Sequence, residues 1–306
     1  MNNVKKVLSA LAVSAVLVTP LNTQAASINL GTAADFTILA LENGRLSINS
    51  ATSLTGNVGY SAGVITVEAQ KVDTFTGTAF VNSGFATTSF NNKYVAATFA
   101  PSGGIQYGPG LVDNKLHQAN LDAMNAASFY AGLIPAGGSA RDLGNLGDND
   151  NRTLNGTGLG LNIYRLGSLN YNSDVLTLIG GANDVFVFDV TGNFDFSQSQ
   201  IVLTGGITAN NVLFNFLTGS SGHVDLNKAA NEFYGTILSP SAPIDYHNPA
   251  TFVGRLIGTN ITLHSDFNLQ GPGNQPGGSV PDTGSTLALM GIGMAMLVAV
   301  KRKFLS

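Results

Sequence analysis

The chain has 306 residues, of which 44% are hydrophobic and only 10% are charged, against roughly 25% charged in an average soluble domain. This composition supports a large core and excludes a disordered body, and the absence of cysteine excludes disulfide bonds and thiolate metal sites. The formal net charge is −4. Because several basic residues are near the two ends, the body is acidic and lacks the basic surface that nucleic-acid binding requires. We therefore predict no nucleic-acid partner.

Residues 1–25 have the pattern of a secretory signal peptide. A positive start, an apolar segment and a small-residue exit site follow one another as Lys5 and Lys6, Val7–Val18, and Thr23-Gln24-Ala25. The alternative interpretation is a buried N-terminal helix. We expect cleavage between Ala25 and Ala26, which predicts an exported protein.

From Ser27 to Gly63, alternating polar and apolar residues with Gly and Asn between them predict short strands and tight turns. The next segment, residues 66–109, is rich in Thr, Ser, Gly and Phe, and we expect it to depart most from regular structure. Its phenylalanines are Phe75, Phe80, Phe85, Phe90 and Phe99. The spacing of the first four fits neither an ideal strand nor an ideal helix. Two interpretations stay open: core anchors in irregular coils, or an exposed aromatic strip that binds a ligand.

One long helix is predicted, from Gly110 to Leu133. Apolar and small residues recur there at helical spacing: Val112, Leu116, Ala119, Ala123, Ala127 and Tyr130. Asp113 in the first turn favours the helix dipole, and Gly132 and Pro135 end the helix. Because small residues dominate the apolar stripe, we expect the helix to lie close against a flat sheet and to cover one apolar face.

Residues 137–160 form a loop rich in Gly, Asn and Asp. Asp148 and Asp150 offer oxygen ligands for Ca²⁺, as do the neighbouring Asn149 and Asn151. However, the EF-hand pattern requires a further oxygen ligand where Arg152 stands and a distant bidentate glutamate. The pattern favours a solvated loop of Asx turns, and we predict no metal site here.

Short runs of β-branched and aromatic residues, separated by Gly and Asn, predict strands in the second half of the chain. These runs are Leu161–Leu166, Val185–Val190, Ile201–Leu203, Val212–Leu217, Gly235–Leu238, Val253–Ile257 and Ile261–Leu263. In Val185–Val190 residues of both parities are apolar, so that strand should be covered on both faces. The longer runs start roughly 20–27 residues apart, the spacing of solenoid coils. We predict a mainly β fold: an irregular β-solenoid, or β-helix, over residues 26–269 with the long helix packed alongside.

Two phrases near the start of this domain carry a resemblance to a known family. Residues 30–40, LGTAADFTILA, and residues 52–63, TSLTGNVGYSAG, resemble the opening of the microbial ice-binding-like β-solenoid proteins. The strand-and-turn phrases of residues 161–240 are similar both to that family and to the related choice-of-anchor surface proteins. The resemblance covers most of residues 28–269 and implies a β-solenoid with a long helix beside it. It rests on no catalytic signature.

The C-terminal region has the arrangement of a sorting signal. After a flexible Gly/Pro linker, residues 270–279, the chain continues with a short motif, an apolar segment and a basic cluster: Val280-Pro281-Asp282-Thr283-Gly284, Leu287–Val300, and Lys301-Arg302-Lys303. The apolar segment is shorter than the roughly 20 residues of a free-standing membrane span, and the basic cluster should stay on the cytoplasmic side. We predict a transmembrane helix that stops transfer over residues 287–300.

This tail resembles the VPDSG-CTERM variant of the PEP-CTERM sorting signals, with Thr283 where serine is usual. It also resembles the Leu-Pro-x-Thr-Gly sortase signal, with Val280 in place of leucine. Either resemblance implies a processing partner, an exosortase-type or a sortase-type enzyme, which cuts near the motif and passes the body to the cell surface or the extracellular matrix. The alternative is an ordinary tail anchor that is never processed.

No catalytic constellation is apparent in the sequence. The four histidines, His117, His223, His247 and His264, are scattered and lack a metal-ligand spacing such as H-E-x-x-H. Neither a G-x-S-x-G elbow nor a P-loop occurs, and the glycines of residues 156–162 lack the dinucleotide-binding spacing. Asp184, Asp189 and Asp195 are predicted at turns and strand edges rather than as paired carboxylates. We predict a protein that is not an enzyme and has no cofactor, with a polysaccharide-cleaving solenoid as the minor alternative.

Two functions remain in competition. The first, which the sorting tail and the charge-poor surface favour, is a non-catalytic adhesive or structural protein that binds polysaccharide or the cell envelope. The second is ice binding, in which rows of threonines on a flat solenoid face order water; strands stack at about 4.8 Å and alternate residues repeat at about 6.8 Å. No long Thr-x-Thr array recurs from coil to coil. The nearest pieces are Thr74, Thr76 and Thr78, and Thr87 and Thr88.

Overall fold

The computed structural model describes residues 27–274 except 49, 62, 67–70, 84–100, 134–140, 218–221, 228–231, 248–250 and 265–266. The predicted signal peptide, the sorting motif Val280–Gly284, the apolar segment Leu287–Val300 and the basic cluster lie outside these residues, as do Phe85, Phe90, Phe99, Thr87 and Thr88. Within the described part, no helix is both long and apolar enough to cross a membrane.

The described residues form 22 strands and one α-helix. Before the helix, the strands are β1 (Phe36–Ile48), β2 (Ser50–Thr55), β3 (Asn57–Tyr60), β4 (Gly63–Thr66), β5 (Lys71–Thr76), β6 (Ala79–Val81) and β7 (Ile105–Tyr107). The helix α1 is Leu111–Ala131. The strands after it are β8 (Arg141–Asp142), β9 (Asn145–Leu146), β10 (Arg152–Asn155), β11 (Leu161–Leu166), β12 (Ser168–Asn172), β13 (Val175–Ile179), β14 (Val185–Val190), β15 (Phe194–Ser197), β16 (Gln200–Thr204), β17 (Val212–Phe216), β18 (Val224–Asn227), β19 (Glu232–Ser239), β20 (Ile244–His247), β21 (Thr251–Leu263) and β22 (Phe267–Gln270).

These strands stack in parallel, and each coil of the chain contributes up to three of them. On the first side, β8, β11, β14, β17, β19 and β21 pair in succession. On the second side, β9, β12, β15, β18, β20 and the end of β21 do the same. On the third side, β10, β13 and β16 form a separate sheet. The predicted stack of parallel coils is therefore confirmed, with the runs Val253–Ile257 and Ile261–Leu263 joined in one bent strand.

The N-terminal coils continue the same stack beyond β21. Strand β1 pairs with β21 on one side, Leu39 opposite Ile257, and with β3 and β4 on the other. Strand β22 likewise pairs with β2, which pairs with β5. The described residues thus begin inside the stack, build one end as far as β7, and restart at the other end with β8. The last coil then closes against the first.

The inside of the coils is filled mainly by aromatic and branched side chains. Because the strands are in register, identical positions stack: Tyr164, Phe188 and Phe214 follow one another with ring centroids 5.3 and 4.9 Å apart. Phe233 and Phe252 stack in the same way at 4.9 Å. Aromatic side chains bury large apolar areas, so these columns fix the coil register.

Helix α1 covers the outer side of the first strand column and creates a second apolar core. Its buried residues are Leu116, Ala119, Asn120, Ala123, Ala126, Ala127 and Tyr130. They pack against outward side chains of the strands, among them Leu39, Val187 and Leu213. Because both sides of β14 are covered, all six of its residues are buried, as the apolar residues of both parities predict. The predicted role of the helix is confirmed.

Polar contacts fasten the helix along its length. The Asn120 side chain accepts a hydrogen bond from the Glu42 amide at 3.1 Å, and the Tyr130 hydroxyl accepts one from the Asn29 amide at 2.8 Å. The Asn215 side-chain amide donates to the Ala127 carbonyl at 3.0 Å. Each bond joins the helix to a different part of the chain, so the helix is anchored to the stack at several points.

Candidate functional site

The stack has three outer sides, and helix α1 covers one of them. The second side, which we call the Asp-His face, consists of the outward side chains of β12, β15, β18, β20 and the end of β21, with the histidines beside them. The third side, which we call the Thr face, consists of the outward side chains of β10, β13, β16, the start of β21, β22, β2 and β5, with the start of β19 as the strand between β16 and β21. These two sides are the candidate binding surfaces.

The first part of the Thr face is the sheet of β10, β13 and β16. Leu176, Leu178 and Ile201 point inward and are buried. Outward residues alternate with them, as the period of two of a β-strand requires. One outward row is Thr153, Thr177 and Val202, and the other is Asn155, Ile179 and Thr204. All six have accessible side chains, so this sheet presents hydroxyl, amide and methyl groups.

The second part of the Thr face comes from the other end of the stack and continues this pattern. Its inward row is Phe75, Leu54 and Leu269, all buried. Its outward rows are Thr74, Ser53 and Asn268, and Thr76, Thr55 and Gln270. Thr251 comes next to Asn268, because its neighbour Phe252 is paired with Leu269. The Ser53 hydroxyl donates to the Asn268 side-chain oxygen, which ties adjacent strands at the surface.

The outward positions named in these two parts carry no formal charge. Glu232, in register with Thr251 at the start of β19, is a charged residue between them. Eight strand levels at roughly 4.8 Å give this face a length of about 34 Å. The Thr face is therefore long, regularly spaced and largely neutral.

The Asp-His face has different chemistry. Asp195, Asp225 and Asp245 are in register on successive coils, and each is near a histidine. The His223 Nε2 atom is 2.9 Å from an Asp195 oxygen, whereas the corresponding distances for His247 to Asp225 and His264 to Asp245 are 4.0 and 3.9 Å. Burial is the largest influence on the Asp225 carboxyl and raises its pKa, against the lowering effect of His247. This face holds ionisable groups that bind water strongly.

The structure gives structural roles to several residues considered in the sequence. Asp150 forms an ion pair with Arg152 at 2.8 Å. The residue that breaks the EF-hand pattern, Arg152, is thus the partner of this carboxylate. Asp184 is buried and accepts backbone hydrogen bonds from Gly158 and Gly181. His117 pairs with Glu42 on the helix surface at 2.8 Å. Among the Phe residues, Phe75 and Phe80 are buried, which supports core anchors rather than a binding strip.

Sequence reasoning missed most of the Thr face. Thr74 and Thr76 were singled out, but Thr153, Thr177, Thr204 and Thr251 each appear as isolated threonines in separate coils. Strand register alone brings them together. The signal that was available is the pattern of a threonine or other uncharged residue beside a buried leucine at the same place in each coil.

Comparison with known proteins identifies the family. The family model described as ice-binding-like matches residues 41–267. The chain belongs to the ice-binding-like family. A second model, the VPDSG-CTERM motif, matches residues 279–304. Both resemblances seen in the sequence are thus confirmed, and a sorting motif of this kind indicates an exported, cell-surface protein.

Two relatives in the ice-binding-like family extend over most of the chain. A protein of Flavobacterium frigoris named ice-binding protein is 29% identical over 240 residues, covering 77% of this chain and 74% of the relative. An ice-binding protein of a Colwellia species is 28% identical over 245 residues, covering 78% and 82%. Both are named for binding ice rather than for a reaction.

Solved structures show the same fold. The antifreeze protein LeIBP from an Arctic yeast aligns with a TM-score of 0.56 and 21% identity, covering 79% of this chain and 94% of the yeast protein. The ice-binding protein of the Antarctic ascomycete Antarctomyces psychrotrophicus aligns with a TM-score of 0.52 and 20% identity, covering 82% and 100%. At this identity the likeness establishes the fold.

These findings correct the functional prediction. Adhesion to polysaccharide or the cell envelope was the favoured interpretation of the sequence, and it is wrong: the family and the relatives support the alternative, ice binding. The outward rows of the described Thr face mix threonine with other uncharged residues, so no Thr-x-Thr array recurs there from coil to coil, as the sequence indicated.

Proposed function

We propose that this ice-binding-like protein binds ice through its Thr face. The observation that carries the proposal is the pair of uncharged outward rows, which place threonines and amides from separate coils on one side of the stack. Ice is an uncharged hydrogen-bonding lattice, and threonine offers one donor, two acceptor lone pairs and a methyl group. A neutral face can approach such a lattice without stripping water from ions.

The Asp-His face is the less suitable side for the same reason. Removing a carboxylate or an imidazolium from water is costly, and these groups orient water around their own charge. Asp195 and Asp245 are accessible there. The helix-covered side is excluded because α1 occupies it.

Rigidity also supports the Thr face. Parallel ladders on all sides hold the strands, and the aromatic columns fill the inside. Threonine is stiff at χ1, so its hydroxyl loses little freedom when it binds. A rigid face keeps its spacing of about 4.8 Å between strands and about 6.8 Å between alternate residues, which lets bound water take up a repeating arrangement.

A matched pair of substitutions tests the proposal. Thr177 lies on the Thr face between Leu176 and Leu178, and Thr262 lies on the Asp-His face between Ile261 and Leu263; both threonines are half-buried and all four neighbours are buried. Thr177→Tyr, which raises a bulky ring above the face, is expected to remove more than half of the thermal hysteresis. Thr262→Tyr, the control, should leave it unchanged.

Two experimental results would reject the proposal. A wild-type chain without thermal hysteresis or inhibition of ice recrystallisation would reject ice binding. Equal losses in Thr177→Tyr and Thr262→Tyr, with the fold intact by circular dichroism, would reject the Thr face as the site.

The same proposal includes export and sorting. A signal peptide cut between Ala25 and Ala26 sends the chain across the membrane, and the apolar segment Leu287–Val300 with its basic cluster holds it there as a transmembrane stop. An exosortase-type enzyme then cuts near Val280–Gly284. The VPDSG-CTERM match supports this route. Mass spectrometry of the mature protein tests it: termini near Ala26 and Gly284 are expected, and an intact Ser306 would contradict processing.

A further inference from the structure

Three potential metal ligands meet on the Asp-His face, away from the Thr face. Asp195 lies in β15, Asp225 lies at the register-paired position of β18, and His223 directly precedes β18. One ligand atom from each of the three lies within 4.8 Å of the other two. In the sequence Asp195 is about one coil away from His223 and Asp225, so only the stacking of the coils brings it beside them.

The cluster differs from a set of surface acids in two respects. One Asp225 oxygen, Oδ1, is buried and has no hydrogen-bond partner among the described residues. A buried carboxylate oxygen without a hydrogen bond is costly. His247 Nε2 is 4.0 Å from this oxygen, beyond hydrogen-bond distance, and a cation bound beside it would satisfy it. The second difference is that the cluster contains an imidazole. His223 Nε2 is 2.9 Å from Asp195 Oδ1.

The surroundings also orient the ligands. The Asn170 amide, turned with its nitrogen toward the carboxylate, donates to Asp195 Oδ2 at 3.0 Å and to the Leu169 carbonyl at 3.1 Å. This leaves Asp195 Oδ1 directed at His223. The His223 carbonyl accepts the Phe194 amide at 2.9 Å, so the backbone beside the imidazole is fixed to the preceding coil. A hydrogen-bond donor to a ligating carboxylate, as Asn170 is to Asp195, is typical of metal sites.

We propose that Asp195, His223 and Asp225 bind one zinc ion that joins two neighbouring coils. One imidazole and two carboxylates suit Zn²⁺, which takes three protein ligands and leaves a fourth position to water. Ca²⁺ and Mg²⁺ take mainly oxygen ligands in larger numbers, so the imidazole disfavours them. The ion would cancel the repulsion between two in-register carboxylates and cross-link β15 to β18. This site is independent of ice binding.

The first test is titration of the metal-free full chain with Zn²⁺ in a calorimeter. One equivalent of Zn²⁺ is expected to bind, and Mg²⁺ is expected to bind at least tenfold more weakly. Asp225→Asn and His223→Ala should each lower Zn²⁺ affinity by more than about tenfold. Mutating a group that only hydrogen-bonds to a metal ligand already costs about tenfold or more, and these two residues are the ligands themselves.

The chain offers matched controls for both variants. Asp245→Asn removes the next carboxylate in the same row, near His264, and His117→Ala removes a histidine that pairs with a carboxylate elsewhere. Both should keep wild-type affinity. Absence of saturable Zn²⁺ binding, or equal losses in all four variants, would overturn the site.

X-ray absorption at the zinc edge of the wild-type complex provides a readout that does not depend on folding of a variant. It should show one nitrogen and several oxygen neighbours at roughly 2.0–2.2 Å. A shell with two or more imidazoles would assign the ion to other histidines and contradict the proposal.

Discussion

The side-chain amide of Asn215 in β17 donates a hydrogen bond to the Asp189 carboxylate in β14 at 2.9 Å. Both residues are buried, with 0% and 3% of their surface exposed, and they are paired in register. The same Asn215 nitrogen also donates to the Ala127 carbonyl of helix α1. Two coils and the helix are therefore joined at one buried polar point.

Replacing Asp189 by asparagine should make stability less dependent on pH. Burial is the largest influence on Asp189 and raises its pKa above the usual value, more than the Asn215 hydrogen bond and the Arg165 charge lower it. The folded state therefore holds this proton more tightly than the unfolded chain. Its stabilising contribution is complete below about pH 3.9, the pKa of an unfolded Asp, and is lost as pH rises through the folded-state pKa.

Asp189→Asn keeps an acceptor oxygen and has no charge. We expect a higher free energy of unfolding than wild type at pH 7, with the difference closing as the pH falls through the folded-state pKa toward about 4. Urea titrations at several pH values measure it. Asp148→Asn, at an exposed position, is the control and should change stability by less than about 0.5 kcal/mol. A lower stability of Asp189→Asn at pH 7 would contradict the prediction.

Replacing Asn215 by alanine should destabilise the protein. The change leaves the Asp189 carboxylate and the Ala127 carbonyl without their donor, and hydrogen bonds to charged groups contribute about 1.5–3 kcal/mol. We expect a loss of about 2–3 kcal/mol in urea unfolding. Asn155→Ala, at an exposed position, should be nearly neutral. Equal effects of the two changes would show that the buried bonds contribute nothing.

Gly254 permits two coils to approach closely. Its φ is +158°, and a Cβ atom added there would overlap the Gly235 carbonyl oxygen, which is backbone and cannot move aside. The two glycines are paired in register between β19 and β21. We expect Gly254→Ala to cost at least about 2 kcal/mol. In Gly147→Ala, the control, the added Cβ meets nothing within 4 Å, and thermal unfolding should shift little. A stable Gly254→Ala variant would contradict the packing.

Arg255 ties the N-terminal segment to the C-terminal coils. Its Nε atom donates to the Ala34 carbonyl at 3.1 Å and its Nη1 atom donates to the Asn210 side chain at 3.0 Å. Burial lowers the pKa of Arg255 to about 10, so the group remains charged at neutral pH. Arg255→Met should lower the free energy of unfolding by about 2 kcal/mol. Arg45→Met, at an exposed position, should leave the free energy of unfolding nearly unchanged. A similar loss in this control would show that removal of a positive charge, and not loss of the Arg255 hydrogen bonds, causes the effect.

The sequence predicted the local elements well where one physical signal dominated. The apolar residues of both parities in Val185–Val190 indicated a strand covered on two sides, and the helical spacing from Leu116 to Tyr130 indicated the helix that covers it. The predicted helix runs from Gly110 to Leu133, and the observed helix is Leu111–Ala131. These signals are local, because periodicity depends only on neighbouring residues.

Contacts between distant coils were not predictable in this way. Nothing near Leu39 in the sequence indicates that it pairs with Ile257, and nothing near Asp195 indicates that Asp225 is beside it. Such contacts depend on strand register over long separations. Both candidate sites are built from them, which explains why the sequence did not bring together most residues of the Thr face or the residues of the Asp-His cluster.

The closure of the last coil on the first has a consequence for how the protein is held. Strand β22 pairs with β2, and the Gly271 amide donates to the Thr55 carbonyl at 2.8 Å, so the described residues end at Asn274 within the stack and not at one of its ends. The strand edges at β7 and at β8 are on opposite sides of that point. An anchor attached through the residues after Asn274 would therefore hold the body between its two ends rather than at one of them.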